Sequence, residues 1–207
     1  MRGLFVTGTD TGIGKTVVSA ALLTQAAGAH YWKPVQTGIE EDDDAAEVAR
    51  LTGVAPTEAP AYRLRNPVSP HLAAARAGVR IDLDWLTAWT TEDQHVWVVE
   101  GAGGVLVPLN DDTLTVVLIK RLALPALIVA RSALGTINHT LLTLEALRSR
   151  SITIAGVVMV GEANIDNRTA VEHYGQVKVA EVPRFPILSK EALESWSLPA
   201  WIEEHLV

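Results

Sequence analysis

The stretch from Leu4 to Thr16 limits what this chain can fold into more than any other. Leu4-Phe5-Val6-Thr7 reads as a buried strand and runs straight into Gly8-Thr9-Asp10-Thr11-Gly12-Ile13-Gly14-Lys15-Thr16, after which a helix-forming run begins. Small residues let consecutive backbone N–H groups curl around phosphate oxygens, a lysine reaches the terminal phosphates, and the hydroxyl after it can ligate Mg²⁺. The helix start adds the positive end of its dipole. Gly14, Lys15 and Thr16 fill these roles in register, with Gly12, Ile13 and Val17 around them. One departure is visible: the first glycine of the G-x-x-x-x-G-K-[ST] pattern would fall at Thr9, and Gly8 sits one residue early. A Gly/Thr-rich turn without a ligand is the plain alternative. Strand, loop, G-K-T and helix in that order favour a phosphate-binding loop and transfer of a terminal phosphoryl group.

The rest of the chain repeats the unit of short apolar run, loop and Ala/Leu-rich stretch. Further strands are expected at His95–Val99, Ala126–Ala130, Ile154–Val160 and Ala180–Val182. Helices are expected at Lys15–Ala27, Asp44–Thr52, His71–Ala77, Leu114–Leu122, Asn138–Ser149 and Asn167–Tyr174, and Trp196 and Trp201 at helical spacing imply a C-terminal helix on the core. Continuous apolar runs suit strands covered on both faces. The βα alternation implies an α/β fold with a doubly wound, mostly parallel sheet and helices on both faces. At 207 residues one domain spanning 1–207 is expected. Ligands in such sheets bind at the carboxyl ends of strands.

A net charge of −7 gives no electrostatic footprint for nucleic acid, so no such partner is expected. With no cysteine there is no disulfide, thiolate metal site or cysteine nucleophile. No apolar run is long enough to span a membrane and no signal peptide is evident, so a cytoplasmic enzyme is expected.

Four ordered blocks carry a resemblance. G-T-D-T-G-I-G-K-T at Gly8–Thr16 resembles the loop of dethiobiotin synthetases. Lys33-Pro34-Val35-Gln36-Thr37-Gly38 resembles their K-P-V-x-[ST]-G block, and Val99-Glu100-Gly101-Ala102-Gly103-Gly104 their V-E-G-A-G-G block. Leu134-Gly135-Thr136-Ile137-Asn138-His139-Thr140 resembles their L-G-x-[IL]-N-H-[ST] block, and Ser69-Pro70-His71 is similar to a further segment. The resemblance covers the chain to about Leu147 and is loose in the last third.

It implies the P-loop NTPase fold and closure of a cyclic urea on 7,8-diaminononanoate, using CO₂, ATP and Mg²⁺, in biotin biosynthesis. The steps implied are carbamate formation, phosphorylation to a carbamic–phosphoric anhydride, and attack by the second amine. Lys15 would bind the β/γ-phosphates and Lys33 hold the carbamate, with Thr11 and Thr37 adding hydroxyls. Thr16, Asp44 and Glu100 would hold Mg²⁺, Asp43 being an alternative to Asp44. Gly12 to Val17, Glu100, Gly101, Ala102, Gly103 and Pro183 would contact the nucleotide. Thr37, Pro70, His71, Gly135, Thr136, Ile137 and Asn138 would contact the substrate, the last four from a neighbouring subunit, which implies a homodimer. For His71 and His139 capping or core packing is the plain alternative. Val160 stands where some members place an adenine-reading asparagine, so other nucleoside triphosphates are candidates beside ATP.

Two other functions compete. Cobyrinic acid amidotransferases of the same superfamily need a glutaminase domain and a nucleophilic cysteine, and this chain has no cysteine. Chromosome-partitioning ATPases carry a signature lysine five residues before the loop lysine, where this chain has Asp10.

Overall fold

Each apolar run finds a place in one sheet. A computed structural model describes residues 1–55, 57–91 and 93–207. Along the chain run β1 (Arg2–Gly8), α1 (Lys15–Gln25), β2 (His30–Trp32), β3 (Val35–Thr37), α2 (Asp44–Thr52), β4 (Tyr62–Leu64), α3 (Pro70–Arg76), α4 (Leu83–Thr87), β5 (Val96–Gly104), α5 (Thr115–Leu122), β6 (Ala126–Arg131), α6 (Thr136–Arg148), β7 (Ile154–Val160), α7 (Ile165–Gly175), β8 (Val179–Val182), α8 (Lys190–Glu194) and α9 (Ala200–Glu203). Six strands form the main sheet in the order β2-β5-β1-β6-β7-β8, and every pair is parallel. β3 and β4 form a separate parallel pair.

Alternation along β1 shows why both faces are covered. Leu4 and Val6 point into a core built with α1, α2, α8 and α9, whereas Phe5 points into one built with α3 to α7. This is the doubly wound α/β arrangement expected. From β1 the sheet grows through β5 and β2 on one side and β6 to β8 on the other. The crevice at such a reversal opens at the carboxyl ends of the strands. The loop after β1 lies there.

The structure differs from the sequence reading in four places. β2 is not among the strands expected from the sequence, and neither are β3, β4 and α4 among its elements. β5 runs on from the expected end at Val99 to Gly104, so Glu100 lies within the strand and not just after it. Regular pairing with β1 nonetheless stops at Val6↔Glu100 and resumes at Gly8↔Gly104, an irregularity that the glycines beyond Glu100 accommodate. Trp196 and Trp201 do not share a helix: Trp196 follows α8 and Trp201 lies in α9, with Pro199 as the N-cap between them. Both still pack on the core, and the Trp201 ring lies where a Cβ on Gly156 would sit, 2.2 Å away. Among the described residues no helix is long and apolar enough to cross a membrane.

Candidate active site

The loop after β1 takes its shape from two fixed points. Gly14 holds the left-handed conformation at φ 98°, and a Cβ there would press on Val160 at 3.1 Å. A side chain would be strained on both counts. Gly14 is also the N-cap of α1 and makes no side-chain cap bond, so the first N–H groups of α1 stay free for an anion. At the loop's other end Asp10 accepts from Thr11 N–H at 2.8 Å and pairs with Arg131, at the end of β6, at 2.5 Å. The Lys15 ammonium folds back to the Asp10 carbonyl at 3.0 Å.

Register brings the second lysine in. Trp32 pairs with Val99, so Lys33, the next residue, arrives level with Glu100. Its ammonium lies 2.6 Å from Asp44 Oδ2, 2.8 Å from Glu100 Oε1 and 3.2 Å from the Gly101 carbonyl. The Thr16 hydroxyl contacts Asp44 Oδ1 and, at 3.2 Å, Glu100 Oε1. Tyr31 donates its phenol to Glu100 Oε2 at 3.0 Å. Glu100 is 0% exposed. A buried carboxylate must be paired and hydrogen-bonded, and Lys33 and Tyr31 meet that need, the single Thr16 proton going to the nearer Asp44.

Helix capping sends Asp43 and Asp44 in different directions. Asp43 caps α2 by accepting from Ala46 N–H at 3.3 Å, and Arg63 on β4 grips its carboxylate at 2.6 Å. With Asp43 held outward, the next residue, Asp44, points at Thr16 and Lys33.

Burial and charge set the protonation states. Burial, and after it the neighbouring Lys33 ammonium, pull Lys15 below the ordinary lysine range. Burial pulls Lys33 the same way, but Glu100 and Asp44 outweigh it and hold it above that range. Burial opposes ionisation of Asp44, yet Lys33 keeps its carboxyl below the usual value. Burial and the Glu100 charge push the Tyr31 phenol well above its usual value, so it remains a donor. Two lysines and two acids, Lys15, Lys33, Asp44 and Glu100, therefore face one another around the site.

A cavity of about 560 Å³ opens on this cluster. Thr11, Gly12, Ile13, Gly14, Lys15, Thr16, Lys33, Thr37, Asp44, Pro70, Glu100, Ala102 and Gly103 line it, as the sequence grouped them. Val17, Gly101, His71, Pro183 and the α6 start at Gly135, Thr136, Ile137 and Asn138 do not line it. Pro183 follows β8, beside the end of β7. His71 donates its backbone N–H to the Pro108 carbonyl at 3.2 Å. Ser69 takes the N-cap position of α3 with Pro70 next, but its hydroxyl makes no cap bond and faces the cavity.

Sequence reasoning missed Tyr31, Gln36 and Arg131. Gln36 lines the cavity and donates to the carbonyls of Thr37 and Asp42, both at 3.0 Å, which ties the following loop down.

The AAA domain family matches residues 2–192. The ATP-dependent dethiobiotin synthetase of Paramagnetospirillum magneticum is 50% identical over 202 residues, 97% of each chain. This chain belongs to the dethiobiotin synthetase family. A dethiobiotin synthetase of Brucella ovis is 51% identical over 199 residues, covering 92% of this chain and 90% of its own. The biotin biosynthesis bifunctional protein BioCD of Bordetella avium is 50% identical over 200 residues, and the match spans 95% of this chain but only 42% of that protein. Among solved structures, a ParA family ATPase of Chlorobium tepidum superposes with TM-score 0.53 at 13% identity, covering 100% of this chain and 97% of that one. A chain of the MinC:MinD complex of Aquifex aeolicus gives 0.56 at 12% identity, with 90% and 83% covered. These two show the P-loop fold that synthetases share with partitioning ATPases. The sequence relatives and Asp10 place the chain with the synthetases.

Proposed function

We propose that residues 1–207 form one catalytic domain that closes a cyclic urea on 7,8-diaminononanoate with CO₂ and ATP, giving dethiobiotin, ADP and phosphate. The observation that carries this reading is the buried cluster of Lys15, Lys33, Asp44, Glu100 and Thr16 at the floor of the cavity.

One amine of the diamine adds to CO₂ and loses a proton, giving a carbamate. A carbamate oxygen attacks the γ-phosphorus as the bond to ADP breaks, giving a carbamic–phosphoric anhydride. The second amine attacks the carbonyl carbon, phosphate leaves, and loss of a proton completes the urea. Such chemistry asks for positioning and for cations around spreading negative charge, with no protein nucleophile. Lys15 follows the charge on the β- and γ-phosphates while the N–H groups from Gly12 to Val17 hold them. Lys33 holds the carbamate beside the γ-phosphate, with Thr11 and Thr37 as hydroxyl partners. Glu100 to Gly103 flank the nucleotide on one side and Pro183 borders its base. Val160 lends the base no amide pair, which favours use of several nucleoside triphosphates.

Two carboxylates converge on one cation here, the Lys33 ammonium, with the Thr16 hydroxyl against the same two carboxylates, and an all-oxygen set of this size suits Mg²⁺ completed by phosphate and water. Thr16, Asp44 and Glu100 would hold it. When bound, the ion neutralises phosphate charge during transfer.

Pro70 borders the cavity on the substrate side, and His71, behind it, would reach the substrate only from the start of α3. Gly135, Thr136, Ile137 and Asn138 serve the site of a neighbouring subunit, so the working unit is a homodimer. Apolar exposure beside the α6 start supports this: Leu134 is 98% exposed, and a groove of about 240 Å³ lined by Leu106, His139 and Leu142 lies alongside.

Mass spectrometry of a mixture of diamine, bicarbonate, ATP and Mg²⁺ tests the proposal. The expected result is a ureido product with stoichiometric phosphate. ATP hydrolysis that ignores the diamine and yields no ureido product would overturn it. Repeating the assay with other triphosphates tests the base argument, which a strict requirement for ATP defeats.

A further inference from the structure

Lys33 sits at the position a divalent ion would claim. Its ammonium bridges Asp44 Oδ2 at 2.6 Å and Glu100 Oε1 at 2.8 Å, and the Thr16 hydroxyl touches the same two carboxylates. Mg²⁺ binds oxygen at about 2.1 Å, so an ion sharing these carboxylates would lie within roughly 4 to 5 Å of the ammonium. Two cations that close repel strongly in a site shielded from water. The bridging geometry and the divalent ion therefore exclude each other.

We propose that Lys33 is the resident counter-ion of Asp44 and Glu100 in the metal-free protein, and that entry of a divalent cation releases its ammonium into the cavity. Three features fit this exchange. The two carboxylates balance the two lysines, so neither acid is left bare before metal arrives. Lys33 itself lines the cavity, so its side chain can swing there without leaving its backbone position. Pro34 follows it and fixes the local φ, which confines the motion to the side chain.

The exchange deepens the metal assignment above and does not depend on ring closure. It makes Lys33 available to a carbamate only when metal is bound. Metal affinity and lysine position then become one coupled equilibrium, and each biases the other by the same factor.

The test is titration of nucleotide-free protein with Mn²⁺, read by electron paramagnetic resonance or calorimetry. Lys33→Met removes the charge with little change in bulk. It should bind Mn²⁺ at least about tenfold more tightly than the wild type, because an uncompensated pair of buried carboxylates is left behind. Equal or weaker binding overturns the proposal. Crystals of the wild type with and without Mg²⁺ and ADP give a second reading that does not depend on the variant folding. The Lys33 ammonium should leave at least one carboxylate by more than about 4 Å when metal is bound. An ammonium that still bridges both beside a bound ion overturns the exchange. Exchange in a protein that closes no ring supports this inference while overturning the proposed function, so the two fail separately.

Discussion

Tyr31→Phe isolates the support beneath Glu100. The phenol gives Glu100 Oε2 its hydrogen bond at 3.0 Å, while Lys33 serves the other oxygen. Phenylalanine keeps the ring packed in the core and removes only the hydroxyl. Both residues are buried, so no bulk water replaces the lost donor. Hydrogen bonds to charged groups contribute about 1.5 to 3 kcal/mol, and a charged acceptor left unpaired sits at the upper end. Unfolding entropy of about 2.1 cal/mol/K per residue over 207 residues makes each kcal/mol about 2 °C. The melting temperature should therefore fall by roughly 4 to 7 °C. Thermal and urea melts of the metal-free protein at pH 7 measure it, with the exposed Tyr174→Phe as the control. A drop no larger than the control's would refute the view that Tyr31 holds Glu100 in its charged, aligned state.

Three further outcomes are expected. Lys33→Ala should lower ring closure by about 10² to 10³ while nucleotide affinity, measured by calorimetry, changes little; equal loss of both would reduce Lys33 to a support for the phosphate loop. Gly156→Ala should cost about 1 to 3 kcal/mol in a urea melt, because its Cβ would meet the Trp201 ring at 2.2 Å and the Lys178 carbonyl at 3.0 Å. Asp43 contributes with a definite sign: Arg63 holds its folded pKa below the unfolded one, so its stabilisation is present above about pH 4 and fades as pH falls through the folded value. Asp43→Asn should therefore lower the melting temperature at pH 7 and match the wild type near pH 2; an equal loss at both would rule out the charge as the cause.

Strands long enough to cross the sheet were readable as apolar runs, which is why β1, β5, β6, β7 and β8 were foreseen. β2, β3 and β4 have three residues each, too few for any period to appear, and they exist because partners hold them. α4 has five residues and depends on the Asp82 cap. The site divides in the same way. Lys15, Thr16, Lys33 and Glu100 stand in motifs because the chemistry dictates their type and spacing. That Asp44 faces Thr16 and Lys33 while Asp43 turns to Arg63, 20 residues away, is a tertiary fact that no local pattern marks. Tyr31 and Arg131 act on partners 69 and 121 residues distant, and no local pattern marks such pairs.

The strand order also dictates when the protein can fold as it leaves the ribosome. β1 pairs only with β5 and β6, and β2 pairs only with β5. Until about residue 104 has emerged, the buried strand β1 has no edge to join. More than ninety residues must be kept apart from their own kind while they wait, a gap that slows closure and invites misassociation. β5, which carries Glu100, is thus the keystone of assembly. When that strand docks between β2 and β1, it brings Glu100 level with Lys33 and starts the sheet that β6 to β8 then extend.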